Sequence, residues 1–282
     1  MKTLTSRQRV ACALAHQEPD LVPIDIGGTA ASFTDVAYER MKHHLGLISQ
    51  GDFCRPGENA AHYDDRLLDL LDTDYRHVYL HPSSVDRDAW DASDGTEFVD
   101  EWGVSRRAVP SDFGGVNWER VSYPLAHATA ADIDSYRWPD ATDPARTEGL
   151  AERAKHLWHD TDYAIGARAV SHGLLEIATE LRGMEQFLID LVLDKPFAHR
   201  LLSKILEVQI GLHGALLDVA GPYIQVCTTC DDYGSQNGPL ISPKLYREMI
   251  MPYRLRLNEF IKSKAPQAYI ELHSCGSVYK LI

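Results

Sequence analysis

The chain has 282 residues, 44% of them hydrophobic, enough to bury one large core or two modest ones. Its formal net charge of −13 at pH 7 argues against a nucleic-acid partner, because a polyanion needs a basic stripe that this sequence lacks. The same balance argues against an anionic membrane surface, while a local basic pocket for a small anionic substrate remains compatible with it.

The N-terminus, Met-Lys-Thr-Leu-Thr-Ser-Arg-Gln-Arg-Val, lacks the apolar stretch of a secretory signal. No apolar run approaches the ~18 residues that span a bilayer. Five scattered cysteines, an odd number, do not form a disulfide framework; reduced thiols in a cytoplasmic enzyme are expected.

In chain order, a short amphipathic helix is predicted from Thr5 to about His16, ended by Glu18-Pro19. Leu21 to Ile26 reads as a strand, broken by Gly27-Gly28. A helix over Asp35–Leu45 stops at Gly46, and 48–61 reads as a loop. Asp64–Leu71 is a short helix and Tyr75–Leu80 a second strand. From Asp91 to Val109 the pattern suggests a small inserted hairpin. Trp138-Pro139-Asp140 is a turn before a helix over 144–158, and Tyr163–Arg168 is a third strand. Asp194 caps a long helix with Pro196 in its first turn; Phe197, Leu201, Ile205, Val208, Leu212, Leu216 and Val219 follow at helical spacing until Gly221-Pro222. Ile224–Thr228 is a fourth strand. Ser242-Pro243 opens a helix to about Lys262, kinked at Pro252. Tyr269–His273 is a fifth strand, and Val278 to Ile282 begins another helix.

Strands separated by long helices indicate parallel βα units, hence a (β/α)₈ barrel or a doubly wound sheet. Polar residues gather where strands end: Asp25 with Gly27-Gly28, His81, Arg168 with His172, Asp231-Asp232, then His273 and Cys275. Barrel enzymes build their sites this way, and no nucleotide-binding glycine motif supports the alternative. A (β/α)₈ TIM barrel in one domain over 1–282 is therefore expected. With five strand candidates, its last units are expected to be missing.

Within Glu271-Leu272-His273-Ser274-Cys275-Gly276, strand alternation puts Glu271, His273 and Cys275 on one face. Imidazole and thiol there form half of a soft-metal site, for which zinc is the natural occupant; the alternative is a core histidine beside a buried cysteine. Cys227-Thr-Thr-Cys230 is a lone CxxC that either binds metal, is redox-active or simply packs in the core. Asp231-Asp232 at a strand end either act as paired carboxylates with raised pKa or a cation partner, or form the turn before the Ser242-Pro243 helix. Asp25, Gly27 and Gly28 either line the site mouth, where glycine admits a ligand to the backbone, or complete a turn.

Thr5-Ser-Arg-Gln-Arg-Val10, His16-Gln-Glu-Pro-Asp-Leu-Val-Pro-Ile-Asp25, Asp100-Glu-Trp-Gly103, Trp138-Pro-Asp140, the run from Asp231 through Pro252, and His273-Ser-Cys-Gly276 together resemble the uroporphyrinogen decarboxylase superfamily along essentially the whole chain. That resemblance implies a barrel with its site at the strand ends. The decarboxylases themselves carry an Arg-Gln-Ala-Gly-Arg segment after the first strand, whose arginines hold porphyrinogen carboxylates. Here Ile26-Gly-Gly-Thr-Ala-Ala-Ser32 has none, and a polyanionic tetrapyrrole is poorly served without such cations. The His-x-Cys-Gly strand is similar instead to the cobamide-dependent methyltransferases of the superfamily. There zinc is held by His, Cys and a later Cys, and a methyl group passes to or from a corrinoid.

Carried over, the resemblance makes His273 and Cys275 the zinc ligands, with Asp231, Asp232 and Glu271 as catalytic candidates and Asp25, Gly27 and Gly28 as cofactor-binding ones. It implies a small methylated substrate or thiol and a corrinoid (cobalamin) on a partner protein. The third zinc ligand lies downstream of the matched segment in the family, so an incomplete set is expected within 1–282. Porphyrin decarboxylation, with an Asp stabilising the developing pyrrole cation, is the alternative chemistry, and a binding-only or inactive barrel fragment is the non-enzymatic one.

Overall fold

A computed structural model describes residues 3–27, 32–47, 63–112, 116–170 and 172–281. The N-terminal part holds α1 (Ser6–Leu14), α2 (Asp35–His44), α3 (Asp65–Leu70), β1 (Tyr75–Tyr79) and α4 (Ser84–Ala92). Next come β2 (Glu97–Val99), β3 (Ser105–Pro110), β4 (Val116–Arg120), α5 (Ala130–Ser135), α6 (Leu150–Asp160) and β5 (Ala164–Arg168). The remainder is α7 (Leu174–Arg182), α8 (Met184–Leu193), α9 (Lys195–Ala220), β6 (Val226–Cys230), α10 (Pro243–Met249), α11 (Met251–Lys264) and β7 (Tyr269–His273).

Strands β1, β5, β6 and β7 form a sheet in that order, every pair parallel. Their carboxyl ends therefore share one rim, as the positions of Leu80, Arg168, Thr228 and His273 led us to expect. Register assigns the faces. Tyr75, His77, Tyr79, Gly166, Arg168, Val226, Thr228, Cys230, Glu271 and His273 fall on one side, called here the inner face. Val78, Ile165, Ala167 and Cys227 fall on the other, where they are buried in one core with Leu201, Ile205, Leu212 and Leu216 of α9. The inner face gathers most of the rim's polar side chains and the helix face most of the apolar ones, with Arg76 and Thr229 as buried exceptions on the latter.

Several expectations need correction. Leu21–Ile26 is not a strand of the sheet. Pro23 has no N–H for a ladder, and Ile24 is instead gripped by Asp74, whose Oδ2 accepts the Ile24 N–H at 2.9 Å while its own N–H donates to the Ile24 carbonyl at 2.8 Å. Asp74 is in turn held by buried Arg9 at 2.5 Å. The expected hairpin is a three-stranded antiparallel sheet of β2, β3 and β4, with β2 and β3 joined by the Asp100–Gly103 turn. There Asp100 Oδ1 accepts from the N–H groups of Trp102 and Val104, 3.0 Å each, and Gly103 takes φ +78°. The helix expected over 243–262 is two, α10 and α11, divided at Ile250 just ahead of Pro252. Helices α4, α5, α7 and α8 were not anticipated. The expected loop over 48–61 lies outside the described residues. A closed barrel is not formed by the four parallel strands described.

Candidate functional site

The rim of β6 and β7 is built by two loops that interlock. Asp231 N–H donates to the His273 carbonyl at 3.0 Å, Tyr233 N–H to Ser274 Oγ at 3.0 Å, and Ser277 N–H to the Ser235 carbonyl at 2.8 Å. Such proximity requires glycine on both sides. A Cβ on Gly276, which has φ +83°, would stand 2.4 Å from the Gly234 carbonyl carbon, and one on Gly234 would meet the Cys275 carbonyl oxygen at 2.9 Å. The glycines that look like ordinary turn formers in sequence are there for close approach of two backbones.

This interlock sets Asp232 beside the His273-x-Cys275 pair. Cys275 Sγ lies 3.3 Å from His273 Nε2, and Asp232 Oδ1 lies 3.9 Å from the same nitrogen. One donor atom from each of Asp232, His273 and Cys275 lies within 4.8 Å of the others. Asp232 is fixed in place by the Cys275 N–H, which donates to its Oδ1 at 2.6 Å. The Cys275 thiol is pushed up from its usual range by burial, then by its hydrogen bond to Asp232 and the charges of Asp232 and Glu176. A nitrogen, a sulfur and a carboxylate oxygen are the donor types that suit zinc, and separations of this order let one ion touch all three after small side-chain shifts. Asp232, assigned from sequence to catalysis, is thus brought to the metal candidates. Its clue was the strand end it shares with Asp231, but the cross-strand register was not legible.

Asp231 is placed quite differently. It is fully buried, and its carboxylate accepts from Leu175 N–H at 3.0 Å and Glu176 N–H at 3.0 Å, the first turn of α7. The N-cap of α7 is Gly173, which has no side chain to offer, so Asp231 caps the helix from a neighbouring strand. A Cβ on Gly173 would lie 2.2 Å from both the Asp231 carboxyl carbon and the Cys230 carbonyl oxygen. Burial raises the Asp231 pKa against the opposing pull of those two N–H groups.

Glu271, on the inner face two residues before His273, accepts a hydrogen bond from Thr228 Oγ at 2.8 Å. Glu176, which sequence reasoning missed, stands at the start of α7. Burial, with the charges of Asp231 and Asp232 adding to it, raises its carboxyl to about 7 although His172 opposes. Its signal in sequence, an acid three residues after a glycine N-cap, is too common to single out.

Asp25 and Gly27 are not brought to this triad. They attach to β1, at the opposite edge of the sheet from β7. Asp25 Oδ1 lies 2.7 Å from His77 Nε2, and Tyr79 OH donates to the Gly27 carbonyl. Gly27 has φ +113°. A cleft of about 330 Å³ lies here, lined among others by Ile26, His77, Tyr79 and His81. Gly28 lies outside the described residues. The CxxC is divided by its strand, with Cys227 facing the helices and Cys230 the inner face.

Comparison with known proteins now adds the family. Residues 115–282 match the family model of uroporphyrinogen decarboxylase (URO-D), more than half of the chain, and the protein belongs to that family. A solved methyltransferase from Methanosarcina mazei is similar in structure, with a TM-score of 0.56 at 15% identity, covering 97% of this chain and 70% of that one. At that identity the likeness concerns the fold, an α/β arrangement of the barrel type. No curated protein matches the sequence. Among the described residues no helix is long and apolar enough to cross a membrane.

Proposed function

We propose that this protein is a methyltransferase of the uroporphyrinogen decarboxylase family that uses zinc and exchanges a methyl group between a small methylated substrate or thiol and a corrinoid, carried free or on a partner protein. The observation that carries the reading is the convergence of Asp232, His273 and Cys275 within 4.8 Å at the rim of two parallel strands. Family membership and the methyltransferase fold neighbour support it. Closure of the sheet into a (β/α)₈ barrel in a single domain belongs to the same proposal.

His273, Cys275 and Asp232 would hold the ion; zinc bound there supplies Lewis-acid polarisation of a substrate sulfur or oxygen at neutral pH. The remaining work falls to the chain itself. Asp232 accepts the Cys275 N–H and so fixes the loop that carries the thiol. Asp231 holds the start of α7 against the strand end, which keeps Asp232 in register with His273. Glu271 and Thr228 present a carboxylate and a hydroxyl along the inner face beside the triad, where a polar substrate would be oriented. Asp25 and Gly27 stand on the far side of the mouth, and with Gly28 of the same segment they are our candidates for holding a cofactor.

Elemental analysis of the purified protein tests the proposal, with His273→Ala, Cys275→Ser and Asp232→Asn beside it. We expect near-stoichiometric zinc in the parent and marked loss in each variant. Zinc-free protein that still transfers a methyl group to free cobalamin, followed by the cobalt spectrum, would overturn it.

A further inference from the structure

Between the two cysteines of Cys227-Thr-Thr-Cys230 stand two buried threonines that hold one residue from opposite faces of the sheet. Thr228, the register partner of Glu271, donates to Glu271 Oε2 on the inner face at 2.8 Å. Strand alternation turns Thr229 to the helix face, and there its hydroxyl donates to the Glu271 carbonyl at 2.6 Å. Behind it Arg254 of α11 donates from Nη2 to Thr229 Oγ1. Arg254 is itself buried, and Leu257 and Ile261 of the same helix share the core with Cys227. The Thr229 hydroxyl therefore accepts from a guanidinium and donates to a carbonyl, the polarity in which each bond strengthens the other. An apolar residue at 254 would fill the core without the cost of burying a charge; what the arginine adds is a directed donor.

Glu271 stands two residues before His273 on β7. Among the described residues β7 pairs with β6 alone, and its Tyr269 and Leu272 are exposed. Its seat against β6 thus depends on the backbone ladder, the rim interlock and these side-chain ties. We infer that Thr229, backed by Arg254, is a positioning residue of the metal centre: it draws the Glu271 carbonyl onto β6 and so sets where His273 and Cys275 stand relative to Asp232. Thr228 meanwhile aims the Glu271 carboxylate along the inner face. The inference rests on the metal-centre reading above. On this account the motif contributes through its threonines rather than as a chelating or redox pair. None of these hydrogen bonds needs an ion to form, so the tie is measurable without one.

The test replaces Thr229 by valine, which keeps the shape and removes the hydroxyl, and by serine, which restores it. In the metal-free protein we expect the Asp231 N–H, which donates to the His273 carbonyl, to exchange with solvent about tenfold faster in Thr229→Val, the worth of one buried hydrogen bond. Parent rates should return in Thr229→Ser. The Leu80 N–H, which donates to the Arg168 carbonyl at the far side of the sheet, should not change in either. Affinity for Co²⁺, read from the sulfur-to-cobalt band of the metal-stripped protein, should fall about tenfold in Thr229→Val and Arg254→Met and recover in Thr229→Ser. Cys227→Ala, which removes core packing from the same strand and none of these bonds, should lower the melting temperature and keep the parent's cobalt affinity. Unchanged exchange at Asp231, unchanged cobalt affinity despite faster exchange, or an equal loss of affinity in Cys227→Ala would overturn the positioning role and leave the Asp232–His273–Cys275 centre intact. A parent that binds no cobalt would defeat that centre, and the positioning role with it.

Discussion

Replacing Glu180 by glutamine removes the charge that fastens the small antiparallel sheet to α7. Glu180 is buried on α7 and receives Arg106 from β3 at 3.1 Å, Arg120 from β4, and His172 at 3.3 Å from the loop before the helix. Burial alone would raise its pKa. His172, Arg106 and Arg120 outweigh that and hold it at about 2, against 4.5 for a free glutamate. At about 1.4 kcal/mol for each pKa unit, the ionised carboxylate contributes on the order of 3 kcal/mol at neutral pH. The sign follows from the lowered value: the contribution is complete above pH 4.5 and is lost as pH falls from there through about 2. Urea unfolding at pH 7 should therefore show Glu180→Gln less stable than the parent by roughly 3 kcal/mol, with the gap narrowing steadily below pH 4.5. Asp100, which also pairs with Arg106 at 2.8 Å, keeps one of the two arginines satisfied and should prevent outright unfolding. A loss under about 1 kcal/mol, or an equal loss at pH 7 and pH 3, would refute the electrostatic account.

Asp86 titrates in the opposite sense. Burial and the charges of Glu101 and Asp100 raise it to about 7, so its ionisation costs stability progressively as pH climbs from the ordinary aspartate range toward 7. Asp86→Asn, which keeps an acceptor for the Glu101 N–H, should raise the melting temperature at pH 8 and leave it nearly unchanged at pH 4; calorimetry showing equal shifts at both values would contradict this. Gly276→Ala should force the two rim loops apart, given φ +83° and a Cβ 2.4 Å from the Gly234 carbonyl carbon. Zinc affinity is then expected to fall at least tenfold, on the order of 1.4 kcal/mol, and an unchanged affinity would mean that the interlock does not position the triad.

Much of the parallel sheet was legible because each strand is a short run between helical stretches with a polar residue at or just past its carboxyl end, and the long helix declares itself by its apolar spacing. Phe197, Leu201, Ile205, Leu212 and Leu216 announce α9 by spacing alone, and all five are buried. Where sequence reasoning failed, the stabilising partner was remote. α7 has glycine where a capping side chain belongs and is capped by Asp231, 58 residues past Gly173 in a chain where only the folded register brings them together. Leu21–Ile26 has a strand's composition, but Pro23 and the Asp74 carboxylate divert its backbone bonds. The candidate site shows the same division. His273 and Cys275 were readable as a pair because alternation along one strand is a local rule. Asp232 reaches them across strands, by a pairing that nothing local specifies: a loop interlock that demands glycine at 234 and 276. The sequence names the donor types, and tertiary register selects which of the dispersed acids and thiols can share one ion.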